Sequence, residues 1–250
     1  MHKNGKGGMR YTSVPYELFA RVFRANICAR SRTAGGISDI STSKGKKPLV
    51  KSGKELEEQV RQNTEQLIDA VWKNPPSRSM DAANVRMLME LWYDIANIGL
   101  QDTQQYQKEQ EELRLEAECL GKITGQPHRI NSRYRVWDVS YTTLCIKPVR
   151  LEVVMDWFYA ELYRFIDYAS ADICSQEFLL AFADLIIDGE VHPWMDGCGR
   201  IATAAVMWLS LLRGNYALPV FDSRNVHFNS IHDLQAHKAY YFSCFVYPVL

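Results

Sequence analysis

The chain of 250 residues lacks several features that would narrow its function at once. It has no excess of charge, because 29 basic side chains balance 29 acidic ones, and composition therefore gives no reason to expect general binding to nucleic acid or anionic lipid. No apolar run approaches the roughly 20 residues that cross a bilayer. The basic, glycine-rich start is not followed by the apolar segment of a signal peptide. We therefore expect a protein without a membrane span.

Paired cysteines are also missing. The six cysteines stand singly, at Cys28, Cys119, Cys145, Cys174, Cys198 and Cys244. None belongs to a CxxC pair, so the sequence gives no reason to expect a zinc site. Several lie among apolar residues, where a reduced cysteine behaves as a small hydrophobic side chain. A reducing, cytoplasmic setting is the expectation, with delivery into a host cell as an open alternative.

What the chain does have is helical periodicity. Hydrophobic residues make up 47% and charged residues 23%, as in an ordinary globular protein. Apolar residues at helical spacing predict a mainly α fold. The predicted helices cover about 15–29, 54–73, 80–99, 102–120, a segment opened by Pro148, 172–188, 200–213 and 229–246. The helix over 200–213 is apolar nearly all round, which predicts a central position.

Two segments depart from this pattern. Residues 31–53 are rich in glycine, serine and lysine, which predicts a flexible loop. Residues 134–141 carry strand-forming side chains and are the best candidate for a β-hairpin. The composition and periodicity of the sequence change at Gly121. We therefore predict a helical extension over 1–120 and a core over 121–250.

The segment from His192 to Arg200, His-Pro-Trp-Met-Asp-Gly-Cys-Gly-Arg, joins two apolar helices. Glycines before a helix let backbone N–H groups converge on an anion, and the helix N-terminus adds partial positive charge. Arg200 is suited to binding phosphate oxygens and Asp196 to holding a magnesium ion. His192 is suited to taking a proton from an attacking hydroxyl. These residues are a set of parts for transferring a phosphate-containing group, although a purely structural glycine turn is the simpler alternative.

The same segment resembles the loop of the Fic family, written HPFx(D/E)GNGRxxR, which here is HPWMDGCGRIAT. The resemblance covers about residues 121–245 and implies a Fic/Fido-type helical bundle with a short β-hairpin flap. It implies that His192 is the general base and that Asp196 binds Mg²⁺. It also implies that the donor phosphates are held by the loop around Gly197 and Gly199, with Arg200 on the next phosphate.

The family's flap aligns a target by strand pairing, and the matching positions are Val136, Trp137, Asp138, Val139 and Ser140. The implied reaction is transfer of AMP, or another nucleoside monophosphate, from a nucleotide donor such as ATP to a Ser, Thr or Tyr hydroxyl of a protein. The implied partners are thus a nucleotide and a protein, with no nucleic acid.

Two positions depart from the family loop, because Cys198 stands for its asparagine and Thr203 for its second arginine. Both changes weaken the expected grip on phosphate. They favour a diphosphate donor such as CDP-choline, and with it phosphocholine transfer. The motif also fits a phosphotransferase like the death-on-curing toxins, an enzyme that modifies a small molecule, and a decayed Fic-fold binding protein. A further rival makes Cys198 a nucleophile, activated by the helix N-terminus.

Overall fold

A computed structural model of the chain describes residues 15–30, 53–77, 79–101, 106–139, 144–170, 176–212, 218–219 and 245–246. Within them the protein is mainly helical, as predicted. The helices are α1 (Tyr16–Arg30), α2 (Gly53–Lys73), α3 (Ala82–Ala96), α4 (Gln107–Thr124), α5 (Leu151–Ser170), α6 (Gln176–Asp184) and α7 (Cys198–Leu209). A 3₁₀ turn, Pro148–Arg150, precedes α5, and a π-helical segment, Leu185–Glu190, continues α6. None of the described helices is long and apolar enough to cross a membrane.

Helix α7 lies at the centre of the fold. It packs against α1, α2, α3 and α6, and apart from Gly199 all of its residues are buried. This confirms the central position predicted from its apolar sequence. The indole of Trp208 on α7 meets that of Trp92 on α3 edge to face, with ring centroids 5.6 Å apart. Such aromatic packing holds α3 beside α7. The position of α3 matters for the candidate site, because the C-terminus of α3 contacts that site.

The boundaries of α3 follow from local chemistry. Asp81 caps its N-terminus, since its Oδ1 accepts from the Asn84 amide at 2.8 Å while the Asn84 side chain accepts from the Asp81 amide. The helix ends at Ala96, and Gly99 adopts φ +65° soon after. At the carbonyl end of α3, Asn63 of α2 donates to the Ala96 and Ile98 carbonyls. The C-terminus of α3 is therefore held in one position.

One hydrophobic cluster contains buried residues of α1, α2, α3, α5, α6 and α7. Helix α4 runs without interruption through Gly121, where the composition and periodicity of the sequence change. The division at 120/121 thus falls inside a helix, and the division into an extension and a core remains a prediction.

Three predictions of secondary structure are corrected or untested. The predicted helix over 229–246 ends in a strand instead, because β2 (Phe245–Val246) pairs antiparallel with β1 (Leu218–Pro219). The preceding residues, 229–244, lie outside the described part of the chain. The predicted loop at 31–53 lies outside it as far as residue 52.

The β-hairpin predicted over 134–141 is not formed by the described residues of that segment. Tyr134 makes a single antiparallel bridge, and its partner is Trp194 of the motif itself. Strand-forming side chains are present, but three of them are buried instead in a small cluster with Tyr106 and Met195: Val136, Trp137 and Val139. Burial of these side chains thus takes the place of strand pairing.

Candidate active site

The candidate site is the turn that connects the π-helical segment to α7. Two of its residues have left-handed backbone conformations, His192 with φ +47° and Gly197 with φ +81°. For a residue other than glycine, this conformation costs about 1–3 kcal/mol and persists only where the surroundings impose it. Gly197 is the N-cap residue of α7, and no side chain forms a cap hydrogen bond there. The first turn of α7 therefore directs its amide groups toward the turn that carries His192.

His192 keeps its side chain 21% exposed. Its Nδ1 lies 3.1 Å from the main-chain oxygen of Asp188 and 3.8 Å from the Asp188 carboxylate. A carbonyl can only accept, so the neutral imidazole carries its proton on Nδ1. Nε2 is then the basic nitrogen, as a general base requires. The role of His192 as general base remains a prediction.

Asp196 and Arg200 are far less accessible than the sequence suggests. They are 3% and 4% exposed and form an ion pair with Nη2 of Arg200 2.8 Å from Oδ2 of Asp196. Arg200 also donates to the main-chain oxygen of Ala96 and, over 3.1 Å, to Oδ1 of Asn97. The roles expected of these two side chains, binding phosphate and magnesium, require access from solvent that this conformation largely prevents. The C-terminus of α3, packed on α7, covers them and occupies the guanidinium.

This pairing also bears on the predicted magnesium site. No group of three or more His, Cys, Asp or Glu side chains suited to a metal ion occurs in the described residues. Magnesium in nucleotide sites often takes only one or two carboxylates, with the phosphates completing its shell. Asp196, however, is 3% exposed and pairs with Arg200, so the residues do not fit a magnesium ion in this conformation. Metal binding by Asp196 remains a prediction that requires the pair to separate.

Gly197 is required by the same contact. A Cβ atom built at this position would lie 2.9 Å from Nη2 of Arg200. Its left-handed φ also disfavours any other residue. Close approach of the guanidinium and the positive φ thus both select glycine, which gives this motif residue a structural reason that is independent of phosphate.

The two positions that depart from the family loop belong to the core. Cys198 is 2% exposed, with its Sγ 3.8 Å from the Trp194 oxygen, and it lies in the main hydrophobic cluster. Thr203 is fully buried, and its hydroxyl donates to the Gly199 carbonyl one turn earlier at 2.8 Å. Thr203 therefore lies in the core and not on the surface of a donor pocket. Both substitutions fill the interior.

Burial of Cys198 predicts slow thiol chemistry in the native protein. Iodoacetamide should modify Cys198 on the order of 10²-fold more slowly than the exposed cysteines Cys28, Cys119 and Cys145, because reagent reaches it only after local opening. Peptide mass mapping of a labelling time course measures all of these rates in one sample. Equal rates would contradict the burial and would restore Cys198 as a candidate nucleophile.

Trp194 is the anchor of the turn. It is fully buried, stacked on Tyr93 with ring centroids 5.0 Å apart and edge-on to Tyr134 at 5.0 Å. Burial raises the pKa of Tyr93, and the carboxylate of Asp196 adds to this rise. The Tyr93 phenol is therefore neutral, and its hydroxyl donates to Gln101 at 2.7 Å. Packing of Trp194 against these two rings therefore holds the turn in place.

The residues expected to align a target have other contacts in this structure. Val136, Trp137 and Val139 are buried, and the exposed Asp138 pairs with Lys147 at 2.6 Å. Ser140 lies outside the described residues. The preceding backbone pairs with the motif, as the Arg135 amide donates to the Pro193 oxygen and the Met195 amide to the Arg133 oxygen. Target alignment by this segment remains a prediction.

Three contributors to the site carry no recognisable sequence signal. Asn97 binds Arg200, the Asp188 carbonyl binds His192, and the side chain of Arg135 binds the main chain of the motif. Only Arg135 lies in a segment that the sequence singles out, and there as part of a flap. All three act over contacts set by helix packing, which no local pattern encodes.

No protein-family model matches this chain, and no curated protein and no solved structure matches it either. The resemblance to the Fic loop therefore rests on the motif residues and on the helices that flank them.

Proposed function

We propose that this protein is a Fic-type transferase, which moves a nucleoside monophosphate from a nucleotide donor to a hydroxyl of a protein. The observation that supports the proposal is that a single turn carries His192, with its Nδ1 beside the Asp188 carbonyl, and leads into the N-terminus of α7, which has no side-chain cap. A base near an anion-binding helix end is the minimal arrangement for activating a hydroxyl against a bound phosphate.

The chemistry follows from these groups. Nε2 of His192 takes the proton of the target hydroxyl, and the hydroxyl oxygen bonds to the α-phosphorus of the donor. The bond from that phosphorus to the leaving phosphate breaks, and with ATP as donor the leaving group is pyrophosphate. Amides of the first turn of α7 stabilise the charge on the transferred phosphate. Arg200 joins them only after releasing Ala96 and Asn97, so donor binding is coupled to an opening of this contact.

The core positions of Cys198 and Thr203 bear on the choice of donor. Neither provides a charged contact to a terminal phosphate, and both side chains are buried. The grip on the donor therefore comes from the α7 N-terminus and Arg200. This supports relative preference for a diphosphate donor over ATP. With CDP-choline the hydroxyl oxygen bonds instead to the phosphorus that carries choline, the bond from that phosphorus to CMP breaks, CMP leaves, and the transferred group is phosphocholine.

A second candidate is a Fic-fold binding protein without catalysis. The buried pair of Asp196 and Arg200 favours it, because a closed pair no longer offers its charges to a donor. The partly exposed His192 imidazole, which takes no part in the hydrophobic core, favours the transferase.

Mass spectrometry separates these functions. The protein is incubated with Mg²⁺, an extract of candidate targets and, in separate samples, ATP, UTP, GTP, CTP and CDP-choline. We expect a covalent mass increase on Ser, Thr or Tyr of a target in at least one sample, largest with CDP-choline, and none with a His192→Asn protein. Binding of a donor without any added mass would support the binding protein, and absence of both would contradict the proposal.

A further inference from the structure

Arg135 is a buried arginine whose guanidinium gathers main-chain carbonyls. It is only 1% exposed. Nε donates to the His192 oxygen at 2.8 Å, and Nη1 donates to the Trp137 oxygen at 2.5 Å. Nη2 donates to the Ile146 oxygen at 2.7 Å and to the Val191 oxygen at 3.2 Å. A single planar fork thus joins three separate stretches of backbone, one of which is the motif.

The backbone of Arg135 reinforces this connection. Its amide donates to the Pro193 oxygen at 2.8 Å, directly after the residue whose carbonyl the side chain holds. Tyr134 bridges to Trp194, and the Met195 amide donates to the Arg133 oxygen at 3.2 Å. The stretch 133–135 therefore lies along residues 192–195 of the motif. It contacts each of these four residues through a hydrogen bond or the β-bridge.

His192 needs such support because its backbone is in the left-handed region, with φ +47°. Its two sides are held by different parts of the protein. The imidazole Nδ1 is held by the Asp188 carbonyl on the π-helical segment, whereas the main-chain oxygen is held by Arg135. If the main chain relaxed to an ordinary φ, the side chain would turn away from Asp188, and the proton would no longer be confined to Nδ1.

We propose that Arg135 is a positioning residue for His192, which fixes both the direction of the imidazole and its tautomer through the main chain of residues 191–193. The catalytic consequence rests on the proposed role of His192 as base, whereas the effect on the tautomer does not. Lysine cannot replace this arginine, because its ammonium is a point donor and cannot reach carbonyls that surround a planar fork.

The test compares Arg135→Lys with Arg133→Lys in the full chain. Arg133 is a matched control two residues away, because its side chain pairs with Asp94 and Glu90 on α3 and, among the described residues, forms no hydrogen bond or ion pair with residues 191–193. Protein labelled with ¹⁵N-histidine gives imidazole spectra for the six histidines, and the His192 signals are assigned by their loss in His192→Asn. Thermal unfolding checks that each variant is folded.

We expect the wild type and Arg133→Lys to show His192 with its proton on Nδ1, and Arg135→Lys to show a mixture of tautomers. With an active donor, Arg135→Lys should lower kcat roughly 10²-fold while KM for the donor changes less than about twofold. An unchanged His192 spectrum in folded Arg135→Lys would overturn the proposal.

Two further outcomes are separable. If the wild type transfers no group from any donor, the proposed function fails, and the tautomer spectra alone decide the role of Arg135. If Arg135→Lys does not fold, the wild type decides: the Arg135 Nε proton should exchange slowly with solvent and show an NOE to the His192 Hα. Absence of that NOE would overturn the proposal.

Discussion

Replacing His192 with asparagine should lower kcat for group transfer by about 10²–10⁴-fold, the usual contribution of a general base, while the affinity for the donor changes little. Asparagine is the better substitution than alanine here, because it tolerates the left-handed φ of +47° that this position requires. The side chain is partly exposed and lies outside the hydrophobic clusters, so the fold should survive. Initial rates from quantitative mass spectrometry, with the best donor, measure the effect.

His128→Asn is the matched control for this experiment. His128 lies just beyond the C-terminus of α4 and contacts Thr124, the last residue of that helix. It takes no part in the motif, so its replacement should leave kcat within about twofold. Transfer at an undiminished rate by folded His192→Asn would show that another group is the base.

Replacing Arg200 with methionine should destabilise the protein by about 3–5 kcal/mol, because it leaves the Asp196 carboxylate buried without its partner. Asp196→Asn should also destabilise the protein, since it leaves the buried guanidinium of Arg200 without its acidic partner. The double variant, Asp196→Asn with Arg200→Met, should recover much of the loss, because no uncompensated charge remains. Urea unfolding of the four proteins gives the free energies and the coupling between the two residues.

The exposed pair of Arg24 and Glu65 is the control for this cycle. It has the same chemistry, with two short hydrogen bonds of 2.7 and 2.6 Å, but its side chains are 45% and 38% exposed. Its disruption by Arg24→Met should cost no more than about 1 kcal/mol. If Arg200→Met lowered the free energy of unfolding by no more than Arg24→Met does, that result would contradict the burial of the Asp196–Arg200 pair.

This stability effect changes how binding experiments on the site should be designed. Arg200→Met alone confounds a lost phosphate contact with a weakened fold. The double variant removes both charges with less structural damage and is the better protein for donor titration. If the donor binds by opening the pair, the double variant should bind it more weakly than the wild type does.

Periodicity and composition are sufficient to predict the helical class, the approximate helix positions and the central place of α7. They succeed because each apolar stripe reports its own burial locally. The helix boundaries differ by a few residues where capping decides them, as with Asp81 at the start of α3. The strand at Phe245–Val246 is not predicted, because its pairing with Leu218–Pro219 is a long-range contact.

The pairing of Asp196 with Arg200 lies within the motif that the sequence singles out, but the burial of this pair is not predictable from the motif. Closure of Arg200 by Ala96 and Asn97 depends on how α3 packs on α7, which no local pattern contains. The role of Arg135 is unpredictable for a similar reason, because its acceptors are main-chain carbonyls, which every residue type provides.

The central claim is that the turn before α7 holds the phosphates of a donor. Amide NMR spectra of the wild type, titrated with CDP-choline or ATP in the presence of Mg²⁺, test it most directly. We expect the largest chemical-shift changes at the amides of Gly197, Cys198, Gly199 and Arg200, followed by that of Asn97 as the Arg200 contact opens. Saturable binding that leaves these amides unchanged, or no binding of any donor, would contradict it.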